Sequence, residues 1–454
     1  MSHKNEEQEK EGLFSMFKGL DFAKLKAISD YIDLKDVLSS LSKMNKTQLY
    51  NLSKALKAGN SHYEKPEING DFYEVGQMLT AEEREIQLRV RKFMDNEVKP
   101  IANEYWNKGE FPMHLIPKMA ELDICGLTIG KHGCPKHSYV LEGIIAMEMA
   151  RVDTSISTFF GVQSGLAMGS IYHCGSQAQQ AKWLPGMQKM EIIGAFGLTE
   201  PKVGSAVAGG LTTKARREGD KWILNGEKKW IGNATFSDIT IIWAEDEEDG
   251  QIKGFIVEKG TSGFHAEKIK NKMSLRTVQN ALITLNDCEV SEENRLQRAD
   301  SFKDTSRVLR ATRAGVAWQA VGCARGAYEN AVAYTMDREQ FGKPIASFQL
   351  IQDQLVQMLH ALTSMQTLVM RLSQLQDAGK MTDAQASLAK VSCTLHTREI
   401  VDIARGIMGG NGILLEYNVA RFVADAEALY SYEGTKEINS LIVGREITGI
   451  SAFV

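Results

Sequence analysis

Apolar residues recur three and four positions apart over most of this chain, and two apart over one central stretch. The first spacing is that of a helix with one buried face, the second that of a half-buried strand. From Thr80 to about Ala195 the pattern is helical. Thr80, followed by Glu82 and Glu83, predicts a helix start with acidic residues in its first turn. Ile116–Leu122 and Ser138–Arg151 read as further helices, with breaks at Pro112, Gly130 and Pro135. From Phe196 to about Leu296 the period changes. Ile239–Ala244, Gly254–Glu258 and Ala281–Leu285 read as strands, and the acidic run Glu245–Asp249 as a solvated turn. Trp222–Ile231 reads as a hairpin about Asn225-Gly226, a strong two-residue turn signal. After about Arg298 long helices return. Leu350, Ile351, Leu355, Met358, Leu359, Leu362, Met365, Val369 and Leu372 form one wide apolar stripe. A second long helix runs from Asp383 to Met408 and stops at Gly409-Gly410.

The stretch before Thr80 differs. Residues 1–11 are acidic and aperiodic and are expected to be disordered. Phe22, Leu25, Ile28 and Ile32, then Leu34, Val37, Leu38, Leu41 and Met44, then Leu49, Leu52 and Leu56 mark short amphipathic helices. Asp33 and Asn45 are expected to start the second and third of them. Helices this short need a surface to pack on. That surface is the protein's own body or a subunit interface, or else a partner or membrane met by Leu13, Phe14, Met16 and Phe17 beside Lys18. Gly59–Phe72 reads as a linker. The expected organisation is therefore α+β: an N-terminal extension (1–75), a helical domain (76–195), a β domain (196–297) and a helical bundle (298–454).

Composition narrows the class. At 454 residues, 43% hydrophobic and 24% charged, with a net charge of −4, the chain is an ordinary globular one without a basic block for nucleic acid. The cysteines Cys125, Cys134, Cys174, Cys288, Cys323 and Cys393 lack paired spacing, as expected of reduced, buried thiols. His132, Cys134 and His137 crowd one Gly/Pro loop and have no fourth ligand, so no metal site is expected. No apolar run is long enough for a membrane span, and the N-terminus has neither presequence nor signal-peptide character. A cytoplasmic, bacterial protein is the expectation.

Chemistry concentrates in a few short segments. Tyr432-Glu433-Gly434-Thr435 places a carboxylate between an aromatic residue and a glycine. Beside apolar surface such a carboxylate loses solvation and becomes a better base. Upstream lie Phe196-Gly-Leu-Thr-Glu-Pro-Lys-Val-Gly-Ser205, Trp230-Ile-Gly-Asn233, Arg338-Glu-Gln-Phe-Gly342 and Met408-Gly-Gly-Asn-Gly412. In this order and at these separations the set resembles the acyl-CoA dehydrogenase family of flavoproteins, from about Leu79 to Phe453.

The resemblance implies a helical domain, a β-barrel-like domain and a C-terminal four-helix bundle, assembled as a homotetramer. It implies FAD between the β domain and the bundle, with part of the site supplied by a neighbouring subunit. Phe196, Leu198, Thr199, Gly204 and Ser205 match the flavin loop, with Ser205 also near the CoA phosphates. Trp230, Ile231 and Gly232 match the segment packed on the flavin, where Gly232 replaces the usual Thr or Ser. Arg338, Gln340, Phe341 and Gln349 match the patch that reaches the FAD diphosphate across the interface. Gly409 and Gly410 match a pair that approaches phosphate or ribose, and Thr435 and Glu437 match adenine-nucleotide contacts. Arg313 matches a CoA-contacting arginine, an exposed salt bridge being the competing reading, and Tyr432 and Gly434 flank the substrate.

Glu433 matches the base that removes the proton α to the thioester carbonyl, as hydride leaves the β carbon to give a trans-2-enoyl-CoA. The ending, Tyr432-Glu-Gly-Thr with Gly444-Arg-Glu-Ile-Thr-Gly-Ile-Ser-Ala-Phe453, resembles two subfamilies, glutaryl-CoA dehydrogenase and the plant-type short-chain acyl-CoA oxidase. After Arg151-Val-Asp153, Ser157 stands where glutaryl-CoA dehydrogenases carry an arginine for the distal carboxylate. A short or medium unbranched acyl-CoA is therefore the expected substrate. Trp318 either shortens the acyl pocket or is core. The electron acceptor is an electron-transfer flavoprotein or O2. A family relative that only binds acyl-CoA or a partner is the contrasting reading.

Overall fold

The computed structural model describes residues 39–40, 43–45, 47–49 and 65–453. The expectations for residues 1–38 and for most of 41–64, including the Asp33 helix start and the linker, lie outside them. Two compact units divide at Glu67 and Ile68. In the first, Asn45 and Gln48 exchange backbone-to-side-chain hydrogen bonds of 2.9 and 3.0 Å, the reciprocal pattern of a helix start.

The second unit begins with helices: α1 (Ala81–Phe93), α2 (Ala102–Lys108), α3 (Leu115–Ala120), α4 (Tyr139–Val152), α5 (Thr154–Phe160), α6 (Met168–Cys174) and α7 (Gln177–Gln188). Their starts follow from capping chemistry. Thr80 caps α1 with Glu83 answering, and Ser138 accepts from the Leu141 amide at 3.1 Å to open α4. Glu148 of α4 is fully buried, and burial alone would raise its carboxyl. Arg91 at 2.8 Å and Arg151 overcome that and bring it down to about 2. Arg151 also binds Glu329, which fastens α4 to the long helix of the C-terminal part.

The middle strands are β1 (Gly194–Gly197), β2 (Lys214–Glu218), β3 (Lys221–Ile231), β4 (Ile239–Asp246), β5 (Ile252–Glu258), β6 (Phe264–Lys268) and β7 (Ala281–Ser291). They form one curled mixed sheet in the order β1-β4-β2-β3-β7-β6, with β5 on the other edge of β4. The expected hairpin about Asn225-Gly226 is corrected. β3 runs straight through these residues, and the chain turns earlier, at Gly219-Asp220, where Glu218 pairs with Lys221. Gly226 serves close approach instead: a Cβ there would lie 2.6 Å from the Thr213 backbone. The acidic turn is also shorter than expected, because β4 continues to Asp246, which is buried and paired with Lys253.

Helices return as α8 (Phe302–Asp337), α9 (Gln349–Asp377), α10 (Asp383–Ile407), α11 (Val419–Ser431) and α12 (Lys436–Thr448). A small hairpin, β8 (Glu339–Gln340) and β9 (Lys343–Pro344), separates α8 from α9. The apolar stripe of α9 buries Met358, Leu362, Met365, Val369 and Leu372, whereas Leu350 at its start is 80% exposed. Among the described residues no helix is long and apolar enough to cross a membrane. The six cysteines are free and buried.

Candidate active site

A cavity of about 1500 Å³ opens where the helical, β and C-terminal parts meet. Glu433 is in its wall, half-buried, just after α11. Its backbone is left-handed at φ 55, and Gly434 follows at φ 83. Such a conformation is costly for a residue with a side chain. Burial pushes the Glu433 carboxyl above its ordinary value. The Arg313 guanidinium, a hydrogen bond from Thr312 Oγ1 at 3.2 Å and the Lys390 ammonium pull the other way and offset part of the rise.

The neighbours of Glu433 are fixed from several elements. Tyr432 Oη donates to Gln319 Oε1 at 2.7 Å, and Gln319 Nε2 donates to the Ser157 carbonyl at 3.0 Å. The Ser157 hydroxyl donates to the Ala146 carbonyl at 3.0 Å. Buried Trp318 donates to Ser373 Oγ at 2.9 Å and packs so tightly on Gly143 that a Cβ there would lie 2.1 Å from its Nε1. Trp318 is therefore core and cavity wall at once.

The loop after β1 supplies another wall. Fully buried Lys228 donates to the Leu198 carbonyl at 3.1 Å and to Glu200 Oε1 at 2.8 Å. Glu200 in turn accepts from the Thr212 and Thr213 amides at 2.7 and 2.9 Å, and the Thr199 carbonyl accepts from the Lys229 amide at 2.8 Å. These bonds hold Phe196, Leu198 and Thr199 against the cavity, with Gly204 and Ser205 beyond them. Trp230, Ile231 and Gly232 line it too. Between Lys228 and Ile231 the β3–β7 register slips by a residue, and Trp230 sits in that bulge at φ 68. A bulge redirects a side chain, and Trp230 is 53% exposed although β3 is a central strand.

The cavity thus gathers Ser157, Arg313, Tyr432, Glu433, Gly434 and Thr435 with the loop and the Trp230 segment. Thr435 also caps α12, its hydroxyl accepting from the Ile438 amide at 3.3 Å. Arg338, Gln340, Phe341, Gln349, Gly409, Gly410 and Glu437 do not line the cavity and are exposed, Phe341 at 92%. Reading the motifs alone missed Lys228, Lys390, Thr312 and Gln319. The two lysines carried a signal: each is a charged residue at a position whose neighbours along the strand or helix face are apolar or small.

The walls suit a flat, anionic cofactor and a nucleotide-bearing substrate. Trp230 offers an exposed indole, and Gly204 leaves open space for close approach. Arg313 is in no ion pair among the described residues and its buried Nε has no partner, so an anion would complete it. Among the described residues no group of His, Cys, Asp and Glu is arranged to hold a metal.

Comparison with known proteins agrees along nearly the whole described unit. Residues 80–191 match the profile "Acyl-CoA dehydrogenase, N-terminal domain", residues 195–288 the middle domain and residues 302–448 the C-terminal domain. The short-chain specific acyl-CoA dehydrogenase of Clostridium acetobutylicum is 33% identical over 374 residues, 81% of this chain and 98% of that protein. The crystal structure of glutaryl-CoA dehydrogenase from Mycobacterium smegmatis superposes with a TM-score of 0.82 at 38% identity, covering 85% of this chain and all of that one. A chain in the structure of the electron transferring flavoprotein of Acidaminococcus fermentans gives a TM-score of 0.79 at 31% identity, covering 82% of this chain and 98% of that one.

Proposed function

The chain belongs to the acyl-CoA dehydrogenase family of FAD-binding oxidoreductases, and on that footing we propose that it oxidises a short- or medium-chain unbranched acyl-CoA to the trans-2-enoyl-CoA. The observation that carries the proposal is Glu433: a carboxylate in the cavity wall whose proton affinity burial raises and which, among the described residues, accepts one hydrogen bond, from the Thr312 hydroxyl. Glu433 accepts the proton α to the thioester carbonyl. Closing the cavity with substrate removes more water from the carboxylate and makes it more basic. Bound FAD supplies the acceptor for the hydride leaving the β carbon. The clamped Leu198–Glu200 segment, Trp230 and Ile231 would hold the flavin ring, and Arg313 would meet a phosphate or the CoA.

The preference for an uncharged acyl tail rests on Ser157. A neutral hydroxyl, already bonded to Ala146, stands where a distal carboxylate would need a cation. Glu142, a carboxylate of the same cavity wall pushed up to about 7 by burial and by Asp377, further disfavours a second negative charge. The exposed set Arg338, Gln340, Phe341, Gln349, Gly409 and Gly410 fits a homo-oligomer in which one copy completes its neighbour's cofactor site. We assign reoxidation to an electron-transfer flavoprotein, given the similarity to a chain from such a system.

Anaerobic mixing of the yellow protein with butyryl-, hexanoyl-, octanoyl- and glutaryl-CoA tests the reading. Bleaching of the flavin band by a straight-chain thioester, stable when air is admitted, is the expected result. Bleaching by glutaryl-CoA alone would overturn the Ser157 argument, and rapid recovery in air with peroxide would make the protein an oxidase.

A further inference from the structure

Lys390 on α10 is fully buried, yet it is in no ion pair among the described residues. Its ammonium donates to the Tyr430 carbonyl at 2.7 Å and to the Gly434 carbonyl at 2.8 Å. These two carbonyls bracket Glu433. The first belongs to the last turn of α11, where backbone acceptors lack intrahelical partners and a cation is favoured. The second follows the base directly. Between them the chain passes through Ser431 and Tyr432 into the left-handed Glu433. Asn439 Nδ2 adds a second donor to the Gly434 carbonyl at 2.8 Å. An aliphatic side chain would fill this space without dehydrating a charge, so packing alone does not account for a lysine here.

We propose that Lys390 is a positioning residue for the proton-transfer step: its ammonium clamps the two carbonyls on either side of Glu433 and so fixes where the base carboxylate points. The proposal rests on Glu433 as the base. The charged groups facing this ammonium are Glu433 itself, Arg313 from α8 and Glu437 from α12. Burial brings the lysine down to about 8, with Glu433 opposing that shift, so near neutral pH the ammonium form predominates. Its charge also favours the ionised form of Glu433.

The test compares the flavin-loaded full chain with K390M and K390Q. Three readouts are taken: the rate of anaerobic flavin bleaching by acyl-CoA across pH, the affinity for a non-oxidisable acyl-CoA thioether, and amide exchange across 430–435. K390M is expected to keep its flavin and its thioether affinity, to bleach at least about tenfold more slowly, and to exchange the 430–435 amides faster. The midpoint of its rate–pH profile is expected to move upward, since a nearby positive charge is gone. K390M with unchanged rate, midpoint and exchange would overturn the proposal. If K390M does not fold, K390Q decides: it keeps a donor but no charge, so its midpoint must still rise, and an unmoved midpoint overturns the assignment. If the unmodified protein is bleached by no acyl-CoA, the functional reading fails, while unaltered amide exchange in K390M, which has no donor, would separately refute the clamp.

Discussion

The Thr312 hydroxyl donates to one oxygen of Glu433 across 3.2 Å, and among the described residues that is the carboxylate's one hydrogen bond. Among the described residues the other oxygen has no hydrogen-bond partner. A carboxylate held by one donor keeps a free acceptor for an incoming proton, and the donor fixes which oxygen that is.

Replacing Glu433 with Gln keeps the shape and removes the base. Flavin reduction by acyl-CoA is expected to slow by about 10²–10⁴-fold, while the flavin content and the thermal midpoint stay near those of the parent protein. Anaerobic stopped-flow absorbance measures this. Near-normal reduction would place the base elsewhere.

Thr312→Val removes the hydrogen bond that favours ionised Glu433. The parent protein should itself show reduction rising with pH through a midpoint above 4.5, because burial lifts the carboxyl from that value. In the variant the midpoint should lie higher still, by an amount equivalent to about 1 kcal/mol. Below the midpoint the variant is slower, and well above it the two rates converge. A rate–pH series on both proteins decides it.

Lys228→Met leaves the Glu200 carboxylate buried without its cation. Breaking one side of a buried pair costs about 3–5 kcal/mol, whereas removing both charges costs much less. The single variant should melt earlier and release flavin, since the Leu198–Glu200 loop loses its clamp. The double variant with Glu200→Gln should recover part of the melting temperature. Calorimetry and the ratio of visible to ultraviolet absorbance follow the two effects separately.

Asp425 is an acid whose folded form favours the proton. Burial, with the neighbouring Asp153 adding to it, lifts its carboxyl from 3.8 to about 7, although the Leu275 amide donates to it at 2.7 Å. A folded value above the unfolded one means that its stabilising contribution is full below about 4 and is lost as pH rises toward about 7. Asp425→Asn should flatten that fall, which amounts to at most about 4 kcal/mol. Denaturant melts at pH 4.5 and 7.5 on both proteins would show it, and an unchanged difference would exclude Asp425 as the source.

Helices were legible where period and start signal agree, as at Thr80 and Ser138. The short helix expected at 116–122 lies two residues earlier at its end, over Leu115–Ala120. Strands β1, β2 and β6, of four or five residues each, are too short for a period to register. Asn225-Gly226 misled because a glycine chosen for contact with Thr213 looks, in sequence, like one chosen for a turn. For the site, the motifs named part of the cavity lining, Ser157, Arg313, Tyr432 and Glu433 among it, but not Thr312 or Gln319. They could not name Lys228 or Lys390, which act from behind on backbone carbonyls. Nor could spacing show that the Arg338–Gln349 segment and Gly409-Gly410 lie away from Glu433's own cavity.

The bulge that turns Trp230 outward also gives the protein an optical probe of its own. Of the six tryptophans, Trp183, Trp222, Trp243 and Trp318 are buried and Trp106 is half-buried, whereas Trp230 stands 53% exposed on the cavity wall. Long-wavelength, water-relaxed emission should come chiefly from this indole. Whatever docks against it will quench or blue-shift that component first, so occupancy of the cavity can be followed by fluorescence with no label attached.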